Sequence, residues 1–225
     1  MKRRLIAAVL ALLLVLVCVP SAFARSNQSQ GGNFECNGVI TGVVDANVVV
    51  EPGIFCIALG ATIEGHVMVE PGAIGFAAHG STIRDYVKAD NPQLDIRVLN
   101  STVGTYVEIS NTHPGTFGAI CRSDIGGDIF LHDNAGTMGI GLSGDLGVCF
   151  APNTIHGSVK LYSNNGQFTV DNNQISLNVN VLSNTGFEAI LANQIGGNLN
   201  CFNNNPPPVS AGNVVSGNIN GQCSA

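Results

Sequence analysis

Tryptophan is absent from this chain, and charge is scarce: only 11% of residues are Asp, Glu, Lys or Arg. Basic residues are the scarcest, nine against fifteen acidic. A nucleic-acid binder needs a positive footprint, so that class is excluded. Past the N-terminal segment no apolar run approaches the ~20 residues of a membrane-spanning helix. Apolar residues nowhere recur at helical spacing, and asparagine and glycine are too dense for helices. No CxxC pair and no His–Cys cluster occurs, which argues against a structural metal site. The chain also lacks a G-x-S-x-G elbow around Ser143, a P-loop and a dinucleotide fingerprint, so the enzyme classes those motifs mark find no support.

What is present begins with an export signal. Lys2, Arg3 and Arg4 precede an apolar segment, Leu5 to Val19, and Ala22-Phe23-Ala24 forms a small-x-small cleavage site. The apolar segment is too short to span a bilayer and ends at Pro20. Cys18 follows Val17 rather than a small residue, which disfavours a lipoprotein. Residues 1–24 are therefore read as a cleavable signal and the protein as secreted. Removing them leaves six basic against fifteen acidic residues, a net of −9, and six cysteines. An even cysteine number in an exported chain suggests disulfides. Residues 25–34, RSNQSQGGNF, read as a flexible polar tail.

From there a 20-residue register takes over. Ile155, Ile175, Ile195 and Val215 are each preceded two positions earlier by Asn153, Asn173, Asn193 and Asn213. Ile63, Ile83 and Val103 keep the step, with Ala61, Ser81 and Ser101 in the asparagine slot. A second set is Asn164, Asn184 and Asn204. A fixed period of this length means stacked coils. Within each coil apolar residues alternate, as in Val87 and Ala89, or Val179 and Val181, which indicates strands with one buried face. Turn residues separate the strands, for example Asn164-Asn165-Gly166 and Asn184-Thr185-Gly186.

The predicted fold is all-β: a single-stranded parallel β-helix, or β-solenoid, over residues 35–225. There is no six-residue pulse, and parallel crossovers are right-handed, so a right-handed coil is expected. Ile125 and Ile155 are 30 apart, which predicts a loop insertion near 143–152. Coils stack ~4.8 Å apart, within reach of a disulfide. The spacings then pair Cys36 with Cys56, Cys121 with Cys149, and Cys201 with Cys223, each between neighbouring coils.

The segments CIALGATIEGHVMVEPGA (56–73), NQIGGNLNCFNNNPPP (193–208) and GNVVSGNINGQC (212–223) resemble small secreted bacterial β-helix proteins of unassigned activity. The coils are similar, more loosely, to bactofilins, polymer-forming bacterial β-helices. The export signal, the cysteines and the asparagine ladders depart from the bactofilin pattern. Neither resemblance implies a catalytic residue, a metal or a cofactor.

The candidate functional residues are amides. Asn178, Asn180, Asn198, Asn200, Asn218 and Asn220 alternate with buried positions and should face outward. Six amides on one flat sheet are a candidate face for a cell-wall or extracellular polysaccharide. Asp124, Asp128, Asp133 and Asp145 surround the irregular coil and offer oxygen ligands, but in no calcium-motif spacing. His66, His79, His113, His132 and His156 share no register. Arg84, Lys88 and Arg97 sit beside Asp85 and Asp95, a pattern that ion pairing explains. Thr62, Thr82 and Thr102 make an outward ladder, too short for an ice-binding face. A non-catalytic, monomeric structural or surface-binding rod is expected, with a minimal polysaccharide-active enzyme as the least favoured alternative. Pro206, Pro207 and Pro208, which lack the N–H an added strand would need, support the monomer.

Overall fold

A computed structural model describes residues 32–141 and 151–224. The expected export signal, most of the expected tail and loop, and Cys149 lie outside the described residues.

Three parallel sheets of ten, nine and nine strands wrap one core. Each coil gives one strand to each sheet. In one coil these are Gln167–Asp171 (sheet I), Gln174–Ile175 (sheet II) and Val179–Leu182 (sheet III). The chain is thus an all-β parallel β-solenoid of about 20 residues per turn. Among the described residues helix is confined to one 3₁₀ turn, Gln222–Ser224, and no helix is long and apolar enough to cross a membrane.

Inward residues stack on their own kind. Val67, Val87, Val107, Ile129, Val159, Val179 and Leu199 are in register, and all are fully buried. Burying each such side chain stabilises by roughly 1.5–3 kcal/mol. Ile63, Ile83, Val103, Ile125, Ile155, Ile175 and Ile195 form the matching column in sheet II.

Before Ile63 the coils are shorter, with steps of 19 from Val44 to Ile63 and 18 from Gly38 to Cys56. From Ile63 onward the register has two interruptions where the sequence reading recognised one. Ile125 pairs with Ile155, as expected, and the ten added residues fall between Gly141 and Thr154. Val103 pairs with Ile125, a step of 22. Its two extra residues lie in the turn between strands Val107–Ser110 and Phe117–Cys121, around His113-Pro114-Gly115. An inserted corner leaves the apolar alternation on both sides intact, so the pattern alone does not reveal it.

Corners are made by residues in the left-handed region. Gly60, Gly80, Asn100, Arg122, Asn172, Ala192 and Gly212 all have φ between 50° and 67°. Each immediately precedes a residue of the buried ladder, namely Ala61, Ser81, Ser101, Ser123, Asn173, Asn193 or Asn213. Glycine and asparagine tolerate this backbone; Arg122 and Ala192 are held there by the bonding of their neighbours.

That bonding is a directional chain. The backbone N–H of Ala61 donates to the Ser81 Oγ, that of Ser81 to Ser101, and that of Ser101 to Ser123. Ser123 donates to the Asn153 Oδ1, Asn153 to Asn173, Asn173 to Asn193 and Asn193 to Asn213. Each asparagine Nδ2 also donates to a strand carbonyl, as Asn193 does to Val170 at 2.8 Å. A second ladder runs Thr112, Asn134, Asn164, Asn184 and Asn204. Gln222 of the 3₁₀ turn ends it, accepting from the Asn204 N–H at 2.8 Å. The ladders satisfy corner backbone that would otherwise be buried without partners.

Two of the expected staples are present between neighbouring coils. Cys36 is bonded to Cys56 and Cys201 to Cys223, with Cα separations of 5.9 and 5.4 Å. Cys121 is disulfide-bonded; its expected partner Cys149 lies outside the described residues. At the N-terminal end the first strand, Asn33–Glu35, extends into the segment expected as a tail. The reason is Phe34, which stacks on Val48 and packs against the core. Replacing Cys201 and Cys223 with alanine should destabilise the last coil by about 3 kcal/mol, the value for a loop of that length. Amide hydrogen exchange should then show lost protection confined to residues after 201; uniform loss along the rod would contradict it.

Candidate functional site

Successive C-terminal coils approach closely at the corner between sheets II and III. A Cβ at Gly197 would come within 2.5 Å of the Asn178 Oδ1, so only glycine permits that packing. Outward of this corner runs a shallow groove of about 290 Å³. Thr154, Gln174, Ser176, Gln194 and Ser216 supply its polar lining and Val214 its exposed apolar side chain, while Ile175 and Ile195 border it with their side chains in the core. No lining residue is charged. Gln174 and Gln194 are register partners, so identical amides repeat on adjacent coils.

Four and six residues further along these coils lie the amides expected from the sequence. Five of the six are half-buried and Asn218 is exposed. They are not free side chains, however. The Asn198 N–H donates to the Asn178 Oδ1 at 2.7 Å and the Asn218 N–H to the Asn198 Oδ1 at 2.8 Å. The Asn200 Nδ2 donates to the Asn180 Oδ1, and the Asn220 Nδ2 to the Asn200 Oδ1, both at 2.8 Å. In the second column Asn200 both accepts and donates and keeps one N–H and one lone pair, whereas Asn180 keeps its N–H groups and Asn220 its oxygen lone pairs. The result is a fixed, evenly spaced row of donors and acceptors beside the groove.

The N-terminal half of the same side is different. His66, Tyr86 and Tyr106 stack with centroids 4.5 and 4.8 Å apart, and Phe130 meets Tyr106 edge-on at 6.2 Å. His66, Tyr86 and Tyr106 follow the 20-residue step, a register that comparing the histidines with one another does not show; Phe130 belongs to the neighbouring column, in register with Glu108. Parallel stacked rings present edges, not faces, to solvent. The basic residues are committed: Arg84 to Glu64, Lys88 to Glu108 and Arg97 to Asp95, at 2.8–2.9 Å. The hydrogen bond that the Lys88 ammonium donates to Glu108 pushes its pKa up, and burial pushes the Asp95 carboxyl up against the opposing effect of Arg97.

The irregular coil's acids are likewise occupied and dispersed. Asp124 faces His156 at 3.0 Å, Asp128 accepts from Ser158 and Lys160, and Asp133 faces His132. Asp145 lies outside the described residues. Among the described residues no three His, Cys, Asp or Glu converge as a metal site. Thr62, Thr82 and Thr102 are in register, and Asp124 follows them.

One buried group went unrecognised in the sequence. Glu188 points into the core, 1% exposed, and neither carboxyl oxygen has a hydrogen-bond partner. Burial pushes its pKa up to about 7. The signal for it was its place one step after the core residue Phe168.

Comparison with protein-family models, with curated proteins and with solved structures gives no match.

Proposed function

We propose that this chain is a secreted, non-catalytic solenoid rod whose C-terminal coils bind a neutral extracellular or cell-wall polysaccharide. The supporting observation is the uncharged groove, where Gln174 and Gln194 repeat at the coil spacing beside the tied asparagine rows. A polymer with a repeating unit can meet equivalent amides on successive coils, so weak contacts add through multivalency. Amides and hydroxyls both donate and accept, as sugar hydroxyls do. An uncharged ligand is favoured because the lining carries no charge. The right-handed sense expected of parallel crossovers belongs to the same reading.

The double variant Gln174→Ala/Gln194→Ala should reduce retention on an insoluble neutral cell-wall polysaccharide by roughly tenfold, the effect of one to two lost hydrogen bonds. Both side chains are exposed, so its melting temperature should match the parent's. Retention should be equal at low and high salt, since no ion pair contributes. Unchanged retention of the variant would reject the groove as the site.

A further inference from the structure

The inward column of sheet I runs Cys56, Phe76, Ile96, Gly118, Met138, Phe168 and then Glu188. A carboxyl thus occupies a slot that every earlier coil keeps free of charge. Phe168 stacks on one side of it. On the other side the register brings Pro208, itself buried. The strands packed on either side are Gln167–Asp171 and Val209–Ala211. Their only ionisable group is Asp171, half-buried at the outer end, where burial also raises its pKa. The core positions of the facing sheets are Ile175, Ile195, Val179, Val181, Leu199 and Cys201. Cys201 is locked in its disulfide with Cys223 of the 3₁₀ turn. No cation faces the carboxyl from any of these elements.

Ionising Glu188 in place would therefore put an uncompensated charge in an apolar core. Water can reach it most easily from the C-terminal end. Only one coil lies beyond it, and that coil is loosely covered: Val209, Val214 and Ile219 are 49, 67 and 42% exposed. It packs on a neighbour from one side only.

We propose that Glu188 is a pH-operated latch: neutral, it lets the final coil (residues 206–222) dock, and ionised, it lifts that coil and opens the C-terminal end of the solenoid. The Cys201–Cys223 bond tethers the lifted coil at its far end, so opening is reversible. Opening bares the edges of strands Phe187–Leu191, Gln194–Ile195 and Leu199–Phe202. Val214 and Ser216 belong to the moving coil and line the groove. The latch therefore also sets the groove's length; that consequence rests on the polysaccharide reading, whereas the opening itself does not.

The closed coil holds a proton on Glu188 up to about pH 7, whereas the opened, hydrated carboxyl loses it near its ordinary value of 4.5. Raising the pH through that interval therefore favours opening, by about 70-fold between roughly pH 5 and pH 8. Amide hydrogen exchange of the full chain, corrected for intrinsic rates, tests this directly. Peptides from 206–222 should lose about 70-fold in protection across that range, while peptides from 62–103 stay unchanged. In Glu188→Leu, which restores an apolar column, protection of 206–222 should not depend on pH. Glu188→Gln should be equally pH-independent but less protected than the leucine variant, because its amide remains buried without partners. The latch is overturned if Glu188→Leu keeps the parent's pH profile, if the parent shows none, or if all coils lose protection together.

Discussion

Asn184→Ala should lower unfolding stability by about 3–5 kcal/mol in chemical denaturation, although Asn184 pairs with no charged group. Its Nδ2 donates to the Leu161 carbonyl at 3.1 Å and to the Asn204 Oδ1 at 2.9 Å. Its Oδ1 accepts from the Asn164 N–H at 2.9 Å and from the Asn164 Nδ2 at 3.0 Å. The side chain is fully buried, so water cannot replace these partners. Alanine would orphan a backbone N–H, an amide N–H and a carbonyl oxygen, each costing about 1–3 kcal/mol. Asn184→Asp should do no better, because a carboxylate cannot donate and its charge would be buried. The outward Asn178→Ala, which loses one exposed-edge acceptor, should cost no more than about 1 kcal/mol. Equal losses at Asn184 and Asn178 would mean that the inner ladder does not carry the stability assigned to it.

The second large effect is expected at a glycine. A Cβ on Gly186 would collide with the carbonyl oxygen of Gly166 and sit 2.7 Å from the Asn165 carbonyl carbon. Both obstacles are backbone of the adjacent coil, which cannot rotate away, so the coils themselves must part. Gly186→Ala should therefore cost roughly 3 kcal/mol or more, at the upper end of overpacking. Gly115 is the useful contrast. Nothing lies within 4 Å of a Cβ there, but its φ is +94°. Gly115→Ala should cost only about 1–2 kcal/mol, from backbone strain alone. Thermal and urea unfolding of the two variants separates the mechanisms. A Gly186→Ala protein as stable as Gly115→Ala would show that the corner stack is not under contact constraint.

The two glycines and the two asparagines also show how far the sequence could be read. Asn153, Asn173, Asn193 and Asn213 announce their ladder by recurring every 20 residues, and the bonding along them follows that step. The serines that continue the ladder through Ser81, Ser101 and Ser123 were visible in the same slot. What the spacing could not convey was direction: each oxygen accepts from the preceding coil and each Nδ2 donates to a strand carbonyl. The candidate face shows the same division. That Asn178 to Asn220 point outward follows from alternation. That they bond to one another, and that Gln174 and Gln194 line a groove beside them, depends on how closely successive coils approach at Gly197 and Gly217.

Periodicity by itself determined the architecture: one strand-rich coil per 20 residues, parallel stacking, an apolar interior and staples between neighbouring coils at Cys36–Cys56 and Cys201–Cys223. These follow because identical steps bring identical residues together, whatever the details of the corners. Only the tertiary structure decided which residue breaks the rule. Glu188 reads as an ordinary charge along the chain and becomes a buried, unpartnered acid once Phe168 and Pro208 close on it. Burial is a property of what stacks above and below a residue, and the last coil's loose covering, which gives that acid its consequence, has no counterpart in the local sequence.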